Sequence, residues 1–261
     1  ITETIVVTND KFYKDFETWN PGVTVLNDGT KNEQDRLESI GDINFALKNV
    51  DEDFIIIAGD NLFTFDLNEL LDFAKDKQYV ITGRNLPSLE EAKKHGSIEE
   101  MDGTGRVIQF VEKPENPKSN LAIGGIYWIQ YQQELVNSLN YLYNNKIQTN
   151  NEYQLTDGLQ YMLSKGAKFS AKKIDSCLDC GIPDTLLATN KKLLINNNSI
   201  HESSVVSNSK LNGTTVMENC TIVNAELENV IMLPGASIKN CKFKDQIIGY
   251  NEILEDMNLL A

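Results

Sequence analysis

The run Asp53–Ala58, DFIIIA, is apolar without polar alternation, as a strand must be when both of its faces are covered. Such a strand needs packing partners above and below it, which points to an open α/β sheet rather than a helical bundle. The flanking pattern agrees. Glu3–Thr8 and Val23–Leu26 read as strands, Lys11–Trp19 as a short helix, and Gln34–Asn49 as a helix with apolar residues at Leu37, Ile40, Ile43 and Leu47. Leu67–Ala74 is predicted to be helical and Tyr79–Thr82 extended, an alternation that implies a mostly parallel sheet with helices on both sides.

The middle of the chain changes character. Ser97–Met101, Val107–Val111 and Ile123–Ile129 read as strands, with Asp102-Gly103-Thr104-Gly105 supplying turn chemistry between the first two. Helices are predicted over Gln132–Tyr143, Leu155–Lys165 and Pro183–Leu194, the last opened by a proline suited to a first turn, and a strand over Lys168–Ile174. After Asn196-Asn197-Asn198, apolar residues recur every five or six positions at Ile200, Val205, Leu211, Val216, Ile222 and Leu227, with Asn, Ser, Thr and Cys between them. That spacing, with no run long enough for an ordinary strand, predicts a short β-solenoid of about three coils rather than a β-meander. The expected division is 1–195 for the α/β domain and 196–261 for the solenoid and tail.

Composition narrows the function. Lysine and arginine total 24 against 38 acidic residues, a formal charge of −14, so the basic surface a nucleic-acid binder needs is absent. No apolar run spans a membrane and no secretory segment is present, which makes the cytoplasm the expected compartment. Cys177 and Cys180 form a CxxC, while Cys220 and Cys241 make no second close pair, so semi-buried thiols in a reducing compartment are expected in place of a zinc site. With only His95 and His201, a histidine-based triad has little to draw on.

Chemistry is suggested where strands end. Gly59-Asp60-Asn61 follows the DFIIIA strand, and ligands of open α/β sheets bind beyond the carboxyl ends of strands. A carboxylate there suits Mg²⁺, and Gly59 would admit a ligand to the backbone; an Asx turn is the alternative. Asp179 has similar placement and could share one Mg²⁺ with Asp60, or cap the helix at Pro183. In Glu112-Lys113-Pro114, Lys113 suits a phosphate and Glu112 sugar hydroxyls, with Pro114 expected to fix an extended exit; a solvated turn is the alternative. Gly124-Gly125-Ile126-Tyr127 reads either as a strand passing close to a ligand or as a bulge.

Taken in order, Gly59-Asp60-Asn61, His95-Gly96, Glu112-Lys113-Pro114, Gly124-Gly125-Ile126-Tyr127, Glu152-Tyr153-Gln154-Leu155-Thr156-Asp157 and Asp179-Cys180-Gly181 resemble the sugar-1-phosphate nucleotidyltransferases over about residues 1–195. Residues Asn151–Leu194 look most like glucose-1-phosphate thymidylyltransferases. The resemblance implies a Rossmann-like, mostly parallel sheet of the nucleotide-diphospho-sugar transferase type, followed by a short left-handed β-helix. It implies Asp60 and Asp179 as Mg²⁺ ligands, acting in catalysis with Lys113 on the sugar phosphate. It places Gly96, Gly125, Tyr127 and Glu152 on the sugar side together with Glu112, and Asp157 in support.

The implied reaction is in-line attack by a sugar-1-phosphate on the α-phosphorus of a nucleoside triphosphate, with release of pyrophosphate and no need for a histidine base. The alternative is a non-catalytic, sugar-nucleotide-binding or regulatory relative. The family's first strand and its glycine-rich loop, with an Arg and a Lys-Pro, have no counterpart here. Without that strand the sheet would expose apolar edges, so a preceding segment of about 50 residues is expected. Glu38 stands where relatives carry a small Gly beside the base, and Cys177 replaces an aromatic. A homo-oligomer formed through the solenoid is expected, and acyl transfer by so short a solenoid is not.

Overall fold

A computed structural model describes residues 1–259 apart from Asn20, Glu33, Asn49 and Ser176. Its elements in chain order are β1 (Ile5–Thr8), α1 (Tyr13–Trp19), β2 (Thr24–Asn27), α2 (Glu38–Leu47), β3 (Phe54–Ile57), β4 (Asn61–Phe63), α3 (Leu67–Ala74), β5 (Tyr79–Asn85) and α4 (Leu89–Ala92). There follow β6 (Gly96–Met101), β7 (Val107–Glu112), β8 (Leu121–Ile129), α5 (Gln132–Asn145), α6 (Leu155–Ser164), β9 (Phe169–Lys173), β10 (Cys177–Asp179) and α7 (Pro183–Leu193). The expected end of α2 at Asn49 lies outside the described residues. Two compact units emerge: residues 1–58 with 64–176, and residues 59–63 with 177–261. Among the described residues no helix is long and apolar enough to cross a membrane.

In the first unit the α/β alternation produces parallel pairing of β1 with β2 and of β5 with β9. The long β8 runs antiparallel to both β3 and β5, with β6 and β7 extending the sheet beyond it. β5 is apolar through Tyr79, Val80 and Ile81, each fully buried, because helices and neighbouring strands enclose it. Tyr79 meets Phe169 in a tilted contact at 4.9 Å and Phe169 meets Phe110 edge-on at 5.2 Å. The Tyr79 hydroxyl donates to Glu134 at 2.6 Å, so the burial leaves no polar orphan at that ring. Ile40 and Leu47 of α2 are buried, as the helical spacing requires. Helix starts follow side-chain chemistry: Asp66 accepts from Asn68 N–H at 2.9 Å to open α3, and Ser88 accepts from Glu91 N–H at 3.2 Å to open α4.

The double glycine of β8 resolves as a bulge. The β5–β8 register shifts between Ile81 and Gly83, and Gly125 stands at φ 78°, a conformation glycine adopts without strain. The Thr82 hydroxyl fills the break, donating to Ile126 C=O and accepting from Ile126 N–H, both at 3.1 Å.

In the second unit the strands β11 (Ser199–Ile200), β12 (Val205–Ser207), β13 (Lys210–Asn212), β14 (Thr215–Val216), β15 (Thr221–Val223) and β16 (Glu226–Met232) lead into β17 (Ser237–Lys239), β18 (Lys242–Ile248), β19 (Ile253–Glu255) and β20 (Asn258–Leu259). All pair in parallel along three ladders. Ser199, Thr215, Ile231 and Ile247 form one row set, Val205, Thr221, Ser237 and Ile253 another, and Lys210, Glu226, Lys242 and Asn258 the third. The coil repeat is 16 residues, shorter than three hexads, which explains the drifting five-or-six spacing and yields one more row than expected from the length.

The repeat is enforced at its corners. Asn197, Gly213, Asn229 and Asp245 share left-handed φ, as do Asn208, Asn224, Asn240 and Asp256, a conformation that Asn, Asp and Gly accept most readily. Asn224 donates its amide to Asn240 at 2.7 Å, and Asn240 to Asp256 at 2.8 Å, one coil apart. Inside, Ile222, Ile238, Leu227 and Phe243 stack in a dry core. Cys220 and Cys241 are buried free thiols, as a small semi-apolar residue at a tight corner should be.

Candidate functional site

The second unit brings the two predicted metal carboxylates together. Two three-residue strands do it: β4 and β10 pair antiparallel with Asn61 opposite Asp179. Neither was visible in the sequence, because three residues carry no usable periodicity. Cys180 N–H donates to Asp60 C=O at 2.8 Å, and the Cys177 thiol lies 2.9 Å from Asn61 Oδ1, closing the join on either side. Asp179 Oδ1 accepts from Gly181 N–H at 2.7 Å and from the Thr185 hydroxyl at 3.2 Å. Asp60 Oδ1 accepts from Asn61 Nδ2 at 2.7 Å. Among the described residues these hydrogen bonds all fall on the Oδ1 atoms of the two carboxylates.

Gly181 is the cradle between them. A Cβ there would stand 2.8 Å from Asp60 Oδ2 and 3.3 Å from Asp179 Oδ1. These two oxygens are therefore within about 6 Å of each other, a span one hydrated Mg²⁺ can bridge by direct and water-mediated contacts. Among the described residues no group of three or more His, Cys, Asp or Glu side chains is placed to hold a metal. Two carboxylates without a third ligand fit Mg²⁺, which keeps waters and takes substrate phosphates, better than zinc. Asp179 Oδ1 also meets the Thr185 hydroxyl in the first turn of α7, whose N-cap is Ile182, so Asp179 braces the start of the helix without capping it. Gly59 is exposed, and nothing lies within 4 Å of where its Cβ would be, so the fold itself makes no demand for glycine there.

The first unit gathers a different set. Gly96 opens β6 opposite Glu112 of β7. A Cβ on Gly96 would lie 2.6 Å from Thr156 Oγ1 and 2.8 Å from Glu112 Oε2, so only glycine fits between strand and helix. Burial holds the Glu112 carboxyl above its ordinary range, while the Thr156 hydroxyl bond and Lys113 pull it down and Asp157 and Glu152 push it up. Lys113 Nζ is 3.8 Å from Glu112 Oε1. Asp157, also raised by burial, accepts from the Thr149 hydroxyl at 2.9 Å. Tyr127, half-buried, packs against the hydrophobic core of this unit. Thr156 is the residue that sequence reasoning passed over; its signal was its place beside Asp157 in an already suspicious motif.

One expectation changes here. Lys113 does not leave β7 in an extended conformation but at φ 43°, because its N–H turns back to His95 C=O at 3.1 Å. Glu38, in the same unit, accepts through Oε2 from Tyr153 N–H at 2.8 Å. The Gly96 contacts set a test within this unit. Gly96→Ala is expected to force Thr156 and Glu112 apart and to destabilise the protein by about 1–3 kcal/mol, read from urea unfolding. Wild-type stability in that variant would show that the pocket yields instead.

A family model for nucleotidyl transferases matches residues 2–196. The chain is 28% identical over 182 residues to the bifunctional protein GlmU of Methanocaldococcus jannaschii, covering 69% of this chain and 41% of that one. It is 42% identical over 78 residues to a glucose-1-phosphate adenylyltransferase of Thermosipho africanus, covering 30% and 19% respectively. The chain thus spans less than half the length of these curated relatives. A solved structure from Bacillus anthracis, described as a glucose-1-phosphate thymidylyltransferase in complex with sucrose, superposes with a TM-score of 0.54 at 18% identity. That superposition covers 73% of this chain and 75% of that one and bears on the fold.

Proposed function

The chain belongs to the nucleotidyl transferase family, and we propose that it serves the transfer of a nucleotidyl group from a nucleoside triphosphate to a sugar-1-phosphate, with glucose-1-phosphate the first candidate. The observation that carries this reading is the pair Asp60 and Asp179 around Gly181. Asp60 and Asp179 would hold Mg²⁺. When bound, the ion supplies charge neutralisation at the phosphates and lowers the cost of the developing pyrophosphate charge.

The remaining roles belong to the chain's own residues. Glu112, kept in place by Thr156, accepts hydrogen bonds from sugar hydroxyls. Lys113, anchored at its backbone by His95, offers its ammonium to the sugar phosphate. Gly96 leaves the sugar room against β6, Tyr127 and Gly125 form part of the same subsite, and Glu152 supports it. The attacking phosphate oxygen is already ionised at neutral pH, so no residue need take a proton from it, and alignment is the main contribution. The nucleotidyltransferase domain is proposed as residues 1–195, supported by the extent of the family match. Residues 196–261, the solenoid, are proposed to mediate self-association.

Pyrophosphate release, assayed with glucose-1-phosphate and each of four nucleoside triphosphates with and without Mg²⁺, tests the proposal on the native full-length protein. Metal-dependent release with one preferred base is the expected result. Binding of a nucleotide sugar with no release under any combination would overturn transfer and leave a binding protein.

A further inference from the structure

Glu38 is the first residue of α2 and stands at φ 59°, a left-handed backbone that is unfavourable for an L side chain and free of cost for glycine. Leu37 before it provides no side-chain cap. The unusual turn gives the Glu38 carboxylate a direction: it accepts from Tyr153 N–H at 2.8 Å, in the segment that enters α6. Beside that bond, Arg36 lies 3.7 Å from Glu152, an exposed pair that adds little energy of its own but marks the same approach. The tied segment is otherwise a tight turn. Thr149 and Glu152 exchange backbone hydrogen bonds at 2.9 and 3.2 Å, across Asn150 and Asn151 in left-handed conformations. The Tyr153 ring rests on Tyr143 at 4.6 Å. Three residues after Tyr153, the Thr156 hydroxyl stands with the Glu112 carboxylate over Gly96, 2.6 and 2.8 Å from where a Cβ on that glycine would lie.

We propose that Glu38 is a positioning residue: by holding Tyr153 N–H it fixes the Thr149–Thr156 segment so that Glu152 and Thr156 are presented to Glu112 and to the sugar phosphate. This inference rests on the proposed function for the identity of that ligand. Two alternatives for Glu38 are less well served by the geometry. A carboxylate placed only to meet a nucleotide base leaves both the left-handed turn and the bond from Tyr153 N–H without a reason. A merely tolerated substitution of glycine would not recover its backbone cost through a charge-assisted hydrogen bond.

Three variants of the full chain separate these cases. Glu38→Gly relaxes the backbone and removes the acceptor, Glu38→Ala removes the acceptor alone, and Glu38→Gln retains an acceptor oxygen. Exchange of the Tyr153 amide by NMR and calorimetric titration with glucose-1-phosphate are the readouts. The Gly and Ala variants are expected to exchange Tyr153 about tenfold faster and bind the sugar phosphate about tenfold more weakly, with nucleoside triphosphate affinity unchanged. The Gln variant should stay near wild type in both. Unchanged Tyr153 exchange and sugar phosphate affinity in Glu38→Gly would overturn the proposal, as would a change confined to the triphosphate. If the wild type itself binds no glucose-1-phosphate, the functional reading fails, an outcome separate from wild-type binding that the variants leave untouched.

Discussion

Asp60→Asn is expected to lower kcat/KM for nucleotidyl transfer by about a thousandfold while leaving the thermal unfolding midpoint within a degree or two. The size follows from the chemistry: a divalent ion held by two carboxylates contributes several kcal/mol to a transition state that accumulates phosphate charge, and Asn lacks the anionic oxygen. The small stability effect follows from the local geometry. Asp60 is exposed, and the bond that joins β4 to β10 at this point uses its backbone carbonyl, not its carboxylate. Asp179→Asn is a less clean probe, because Asp179 Oδ1 also serves Gly181 N–H and the Thr185 hydroxyl. Initial rates over a Mg²⁺ series decide the matter. An Asp60→Asn variant with wild-type kcat/KM and wild-type metal dependence would remove Asp60 from the proposed metal site.

Phe243→Ala should cost about 3–5 kcal/mol, the largest stability loss anticipated for any single truncation in the solenoid. Phe243 is 1% exposed and stands in register over Leu227, with a neighbouring stack of Ile222 and Ile238 completing the coil interior. A solenoid core is one side chain thick in each row, so a cavity in one coil cannot be filled by a neighbour without breaking a ladder. Chemical denaturation of the wild type and variant, followed by circular dichroism, measures the loss. A change below about 1 kcal/mol would mean that the coils collapse onto the cavity, contrary to the rigidity that the corner hydrogen bonds imply.

The elements of this chain were legible where the local pattern is strong. The apolar run at Asp53–Ala58 became β3. Among the described residues that strand pairs only with β8 and is half-buried, with Ile57 46% exposed, so it is not covered on both faces as expected. The spacing of Ile40 and Leu47 became the buried face of α2, and Pro183 opens α7. They were not legible where tertiary contacts alone stabilise a short or strained piece. β4 and β10 exist because they pair with each other, and Lys113 adopts its left-handed turn because His95 C=O captures its N–H. The solenoid was recognisable from its apolar recurrence, yet its true repeat appeared only once the corner residues Asn224, Asn240 and Asp256 were seen stacked.

The candidate site divides in the same way. Asp60, Glu112, Lys113 and Asp179 stand out from the sequence alone because each sits at the end of a predicted strand, where side chains are free to meet a ligand. Residue type and local spacing determined that much, together with the alternation of elements, since both are properties of neighbours along the chain. Which of those residues meet was decided by strand pairing: Asn61 and Cys177 are 116 positions apart in the chain, and the register that joins them also sets Asp60 and Asp179 around Gly181. The same holds for Glu38, which the sequence marked only as standing in place of a small Gly and which the fold sets against the Tyr153 amide. A backbone donor from a distant segment leaves no mark in local sequence, because its partner is chosen by packing and by the need to satisfy a half-buried polar group, not by proximity along the chain.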